Sequence, residues 1–189
     1  MDELRAATWP AHQRLEKRLD IKARFGSLPL YRGHLEQMWG FCAALEPRLE
    51  PWLRDAALPD CESRSKLPLL THDLLALGVN AAALAHLPRC AELPDCPDSC
   101  AALGCLYVLE GATLGGRTLL PMVQVRLGLT AQHGASFLAS YGADVRSMWQ
   151  RFGSALDAWC AAAEQRSRAT AAAVATFGAL ERWLCGRTA

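Results

Sequence analysis

Five histidines, His12, His34, His72, His86 and His133, are the first candidates for chemistry in this 189-residue chain. His12 has the richest surroundings. On a helix Arg5, His12 and Glu16 stand at i, i+7 and i+11, within about 40° of one another. One face therefore offers a cation, an imidazole and a carboxylate in a row. Imidazole ligates iron, and a partner on its second nitrogen fixes the ring's tautomer and orientation. Glu16, one turn on, is placed to be that partner, directly or through water. The same three residues also make an ordinary solvated face with a His–Glu pair, and spacing alone does not rank the two. Other chemistries lack their residues. A di-iron bundle needs Glu-x-x-His, so that both ligands share one helix face, and no glutamate here has a histidine three residues on. There is no G-x-S-x-G nucleophile turn, and Gly111 to Gly116 lacks the Lys-Ser/Thr of a phosphate loop.

The second notable stretch is LGCLYVLEGATLGGRTLLP, Leu103 to Pro121. Leu103, Leu106, Tyr107, Leu109, Leu114 and Leu119 are enough to bury a helix. Yet Gly104, Gly111, Gly115 and Gly116 lie inside it, each costing about 1 kcal/mol relative to Ala. Gly104, Gly111 and Gly115 fall within about 40° on the wheel. A stripe without side chains lets another backbone, or a flat ligand, come close. A tight helix–helix contact is the more ordinary of these explanations.

The elements that must position these residues are helical throughout. Apolar residues recur at helical spacing and strand patterns are absent. The first helix runs from Asp2 to Asp20, kinked at Pro10, with Leu4, Ala7, Ala11, Leu15 and Leu19 inward. A second begins at Ser27 and runs toward Leu53, with Tyr31, Leu35, Met38, Phe41, Cys42 and Leu45 inward and Pro47 and Pro51 bending or fraying its end. A third, Lys66 to Leu77, closes at Gly78. Asn80 to Pro97 reads as loop. Asp98 or Ser99 caps the glycine-rich helix. Thr130 to Tyr141 is a short turn and loop. Asp144 caps a helix to about Ala161, with Val145, Met148, Trp149, Phe152 and Leu156 inward. A last helix runs from Ala162 to Cys185, with Val174, Phe177, Leu180 and Leu184 inward. The expectation is one all-α domain spanning residues 1–189.

Composition narrows the function further. Lys plus Arg number 20 and Asp plus Glu 19, a net charge of +1, which argues against a dedicated nucleic-acid or membrane-surface role. Every apolar run is interrupted by Arg, Glu or Pro before it reaches a membrane-spanning length. The start, MDELRAATW, is acidic and has no signal-peptide core, so a cytoplasmic location is expected. The eight cysteines then read as thiols. Cys90, Cys96, Cys100 and Cys105 contain no C-x₂-C pair, so they do not suggest zinc. Cys42, Cys105 and Cys160 lie in apolar segments as small buried hydrophobes.

LRAATWPAHQRLE, Leu4 to Glu16, resembles the proximal-helix signature of heme oxygenases, and LYVLEGATLGG, Leu106 to Gly116, resembles their distal helix. YGADVRSMWQRF, Tyr141 to Phe152, is similar to a further family segment. The likeness is to bacterial, biliverdin-producing enzymes of the kind found beside bacteriophytochromes, and it covers most of the chain. It implies a multi-helix bundle with haem between a proximal and a distal helix. His12 would be the iron ligand and Glu16 its partner, with Arg5 pairing with a haem propionate. Gly111, Gly115 and Gly116 would bend the distal helix and bring its backbone to the haem face. Tyr107 is similar to a propionate-contacting tyrosine, and Arg146 and Arg151 are further propionate candidates. Where mammalian-type members carry an acidic residue after the first distal glycine, this chain has Ala112. Thr113, backbone groups or another side chain would then order water there.

The resemblance implies an enzyme using haem as both cofactor and substrate, and O₂, to yield biliverdin, carbon monoxide and ferrous iron. Its electrons would come from an external reductase or ferredoxin, since no flavin or nicotinamide motif is present. A bacteriophytochrome would be a possible recipient of the biliverdin. Two other readings stand beside it: a haem carrier or sensor without catalysis, and a helical enzyme of similar fold acting on a small non-haem substrate, as in thiamin-degrading proteins.

Overall fold

The structure is a computed structural model, and it describes residues 1–56 and 58–186. Among these residues the architecture is helical, with only isolated bridges around Thr130, His133 and Gly134. Helix α1 spans Asp2–Leu19 and contains Pro10, as expected, with Asp2 and Glu3 in its first turn and Lys17 and Arg18 in its last. Both placements suit the helix dipole. Its buried stripe is Leu4, Thr8, Ala11 and Leu15. Ala7 is exposed and Leu19 half-buried, because the i, i+4, i+7, i+11 spacing from Leu4 passes through Thr8. The Thr8 hydroxyl is satisfied inside the helix by donating to the Leu4 carbonyl at 2.7 Å. Asp20, in a left-handed conformation at φ 40°, separates α1 from the short α2, Ile21–Arg24, which the sequence pattern did not reveal.

Helix α3, Leu28–Asp55, runs straight through Pro47 and Pro51. Both prolines are solvent-exposed, and the helix ends two residues beyond the expected Leu53. A 3₁₀ turn at Cys61–Arg64 and helix α4, Leu67–Ala76, follow. Gly78 adopts φ 85° past its end, the conformation for which glycine was expected there. The segment read as loop holds one helical turn, α5, Ala81–Ala85, capped by the Asn80 side chain accepting from the Ala83 amide at 2.8 Å. Helix α6, Ser99–Leu127, is the long central element, capped by Asp98 and closed by Gly128 at φ 70°. It is long and apolar enough by composition to cross a membrane, but 78% of its qualifying window is buried inside the fold. The short α7, Ser136–Ala139, precedes a 3₁₀ turn at Gly142–Asp144, then α8, Val145–Trp159, and α9, Ala163–Cys185.

The long helices pack around α9: α6 and α1 both lie against it, while α3, α7 and α8 pack on α6. The closest approach is at Gly104, where a Cβ would sit 2.1 Å from the Ala169 carbonyl oxygen of α9. The ordinary explanation of a glycine stripe thus holds at that position. Val174, expected inward on α9, is 39% exposed, whereas Phe177, Leu180 and Leu184 are buried. All six core residues predicted on α3 are buried, as are Cys42, Cys105 and Cys160. The segment preceding α8 is pinned at several points. Asp73, fully buried on α4, accepts from the Ser136 amide and hydroxyl at 2.8 and 2.7 Å and from the Phe137 amide at 2.8 Å. Tyr31 of α3 donates to the Gly134 carbonyl at 3.1 Å.

Candidate functional site

His12 projects from α1 with its ring held between two aromatics. Trp9, one turn earlier, stacks on it at 5.6 Å and 10°, and Phe177 of α9 meets it edge-on at 5.7 Å. Nδ1 is buried without a hydrogen-bond partner. Glu16 Oε2 lies 3.6 Å from it, just outside hydrogen-bond reach. The His12 side chain is 42% exposed, so the imidazole is accessible although its Nδ1 is buried. Trp9, with 51% of its surface exposed, lies beside it. Arg5 is exposed on the same helix and makes no ion pair with another described residue.

On α6 the glycines divide into two groups. A Cβ built at Gly111 or at Gly115 meets nothing within 4 Å, so these two front open space. Gly116 does not belong with them: its Cβ would lie 2.9 Å from the Leu138 carbonyl oxygen. Its expected place on the distal wall is therefore corrected to a packing contact with α7, because one residue beyond Gly115 turns the position by about 100°. Leu114 lies beside the open face and is 38% exposed, not buried as expected of this helix. Tyr107, one turn before Gly111, is buried with its ring tilted against Trp149 at 5.4 Å. Its hydroxyl has no hydrogen-bond partner among the described residues.

Two hydroxyls that could have ordered water on this face are already committed. Thr113 Oγ1 is buried and donates to the Glu110 carbonyl at 2.6 Å, and Thr118 Oγ1 donates to the Gly115 carbonyl at 2.7 Å. Each hydroxyl proton is thus used within the helix, which leaves the Thr113 oxygen as an acceptor only. Of the two arginines proposed on α8, Arg146 is exposed and without an ion-pair partner among the described residues. Arg151 is already occupied: Nη1 lies 3.4 Å from Asp60 and Nη2 donates to the Met148 sulfur at 2.8 Å. It is consequently the weaker propionate candidate.

Neither α1 nor α6 packs extensively on the other, and α9 bridges them. His12 is thus held against α9 through Phe177, and the glycine helix against α9 through Gly104. The Cβ-free face of Gly111 and Gly115 and the accessible imidazole are features a flat, metal-centred ligand requires, and the described residues therefore fit haem. A separate cavity of about 350 Å³, lined by Leu49, Leu53, Cys61, Arg64 and Leu106 among others, contains none of the predicted site residues. Groups of three or more metal-ligating side chains are absent among the described residues.

A cluster that the sequence pattern left unassigned is built on Glu110, next to Gly111 in the chain and about 100° from it around α6. Glu110 is 1% exposed. One of its oxygens takes Arg64 Nη1 at 2.7 Å, and the other takes Lys66 Nζ at 2.8 Å and the Tyr141 hydroxyl at 2.6 Å. Lys66 also donates to Tyr141 Oη at 2.6 Å and lies over its ring at 4.2 Å. Burial depresses the Lys66 amine below its ordinary pKa against the opposing pull of Glu110. Burial first, and Glu110 second, raise the Tyr141 phenol well above its usual range. The signal available in the sequence was a lone carboxylate within the apolar run LYVLEG, which demands a cation when buried.

The comparisons with known proteins bear on the family and the fold. The sequence profile of the family described as Heme oxygenase matches residues 1–185. A heme oxygenase of Xanthomonas campestris pv. campestris (strain 8004) is 31% identical over 135 residues, covering 71% of this chain and 76% of that protein. The crystal structures of the NO- and CO-bound heme oxygenase of Neisseria meningitidis superpose with a TM-score of 0.75 at 23% identity, covering 100% of this chain and 92% of the other. With the same all-helical fold, and a family match that runs through both the imidazole helix and the glycine helix, this chain belongs to the heme oxygenase family.

Proposed function

We propose that the chain is a heme oxygenase that binds haem between α1 and α6 and cleaves it oxidatively to biliverdin, carbon monoxide and ferrous iron. The observation that carries this reading is a partly exposed imidazole on α1 with an orphaned Nδ1, together with Cβ-free open positions on α6, in a chain of this family. Bound haem supplies the iron at which O₂ is activated and the ring that is opened. His12 would hold the haem iron through its imidazole. Glu16 Oε2, 3.6 Å from Nδ1, is the carboxylate placed to orient the ring, directly or through water. Neutral imidazole donates less electron density than a thiolate and does not favour O–O cleavage as strongly. Trp9 and Phe177 pack against the imidazole and limit its orientation.

On the other face, Gly111 and Gly115 leave the α6 backbone free to approach the ring plane, and any side chain there would occupy the space a small diatomic needs. Arg5 and Arg146 are the cations available for the two propionates, with Tyr107 as a hydroxyl donor. Electrons come from a separate reductase or ferredoxin, and O₂ is the co-substrate. A bacteriophytochrome is a fitting recipient of the biliverdin, and the protein acts in the cytoplasm. These partners follow from the likeness to bacterial family members.

Haemin titration followed by aerobic reduction, with chromatography of the pigment, tests the proposal. A stoichiometric Soret band that decays to biliverdin is expected. An intact Soret band under turnover conditions would leave only a carrier, and no haem binding at all would overturn the reading.

A further inference from the structure

The Arg64–Glu110–Lys66–Tyr141 cluster is an expensive arrangement to keep for stability alone. Two cations and a carboxylate, all 1% exposed, must be stripped of water, and apolar replacements of such groups are often as stable or more so. Its position is suggestive. Glu110 immediately precedes Gly111 in α6, and the hydroxyls of Thr113 and Thr118 are bound to their own helix's carbonyls. The charged groups nearest in the chain to the face at Gly111 and Gly115 are those of the Glu110 cluster, where two cations share one carboxylate. Arg64 is held further by the Pro59 carbonyl at 3.1 Å and the Met148 carbonyl at 3.3 Å, both neutral acceptors. The other charged groups around the cluster are Glu46 of α3, and Asp60 with Arg151 of α8. Glu46 binds the Lys66 amide at 2.8 Å and the Ser65 hydroxyl and is only partly buried. Asp60 and Arg151 pair with each other in solvent.

We propose that this cluster sets a positive potential at Gly111 and Gly115, so that anionic ligands bound at that face are stabilised by the protein's fixed charges. Lys66 and Arg64 supply the field and Glu110 trims it. Tyr141 fixes the positions of the Lys66 amine and the Glu110 carboxylate. All four are positioning residues acting through space on a ligand they do not touch. The inference rests on the haem reading above, and its sign is specific. Removing a positive charge from the cluster weakens anion binding, whereas removing the negative charge strengthens it. A unit charge on the order of 10 Å away, at an effective dielectric of about 20, changes an equilibrium by roughly tenfold.

The test uses the full-length chain loaded with haemin and the azide ion as probe, comparing wild type with Lys66→Met, Glu110→Gln and the double variant. Azide affinity of the ferric complex, read from the Soret shift, is expected to fall about tenfold in Lys66→Met and to rise in Glu110→Gln. The double variant should return close to wild type. Binding of neutral carbon monoxide to the anaerobically reduced complex should stay unchanged throughout. Shifts of the same sign in both single variants, or equal effects on azide and carbon monoxide, would overturn the electrostatic role and leave a packing function. Should Glu110→Gln fail to fold, Lys66→Met against Lys66→Arg decides: the arginine must retain wild-type azide affinity and the methionine must lose it. Wild-type protein that takes up no haemin would instead defeat the haem reading on which the inference stands.

Discussion

Replacing glycines of α6 by alanine, one at a time, separates the two uses of the stripe. At Gly104 the new methyl carbon would lie 2.1 Å from the Ala169 oxygen and 2.8 Å from its carbonyl carbon. Neither atom can yield without moving α9, so Gly104→Ala should destabilise the protein by about 1–3 kcal/mol or more, the range for overpacked cores. At Gly116 the contact with the Leu138 oxygen is 2.9 Å, and a smaller loss within the same range is expected. At Gly111 and Gly115 the methyl meets nothing within 4 Å. Helix propensity then dominates, and each substitution should stabilise the ligand-free protein by about 0.5–1 kcal/mol. For a domain of this size that is a rise of roughly 1–4 °C in Tm. The same two substitutions should weaken haem binding or slow turnover, because the methyl projects into the space assigned to the ligand. Thermal unfolding without haem, haemin titration and biliverdin formation on the same four variants provide the assay. If Gly111→Ala and Gly115→Ala stabilise the chain and leave haem chemistry untouched, these glycines have no functional reason and the site is elsewhere. If either one destabilises the ligand-free protein, the face is not open as described.

His12→Ala should retain the fold, since the residue is partly exposed and loses only its ring contacts with Trp9 and Phe177, about 0.5–1.5 kcal/mol each. Turnover should disappear and the Soret spectrum of the bound haem should shift, with added imidazole restoring the wild-type spectrum. Unchanged activity without imidazole would remove His12 as the ligand. His34 is buried, and burial together with Arg24 lowers its pKa from 6.5 to about 3. The folded state therefore binds its proton more weakly than the unfolded state does. Stability from this group is complete above about pH 6.5 and falls by about 1.4 kcal/mol per pH unit toward about 3. Denaturant titrations of wild type and His34→Gln between pH 7 and 4.5 should show a steeper acid loss in the wild type. Parallel curves would show that His34 is not a source of acid sensitivity.

Much of the helical skeleton was legible in the amino-acid order, because apolar spacing, Asp98 as a cap and Gly78 as a stop are local signals; the run of α6 past Pro121 to Leu127 was not. The α3 core residues and the His12–Glu16 pair were accessible for the same reason, since i, i+3 and i+4 neighbours meet on any helix. Short elements escaped: the single turns at Ile21–Arg24, Cys61–Arg64 and Ala81–Ala85 are too brief for periodicity to register. Pro47 and Pro51 read as breaks, yet α3 passes through both.

The use of each residue was settled in space. Gly104, Gly111, Gly115 and Gly116 are one composition signal in the chain, but what a Cβ would strike depends on where Ala169 and Leu138 lie, residues distant in sequence. Trp9 and Phe177 become the walls around His12 only because α9 packs on α1. Arg64, Lys66 and Tyr141 converge on Glu110 from 46, 44 and 31 residues away. Apolar spacing along the chain marks the long helices and the two stretches that carry an imidazole and bare backbone. Only tertiary packing decided which bare positions remain open to a ligand and which charges stand near them, because burial and long-range contact are properties of the assembled bundle and not of any one helix.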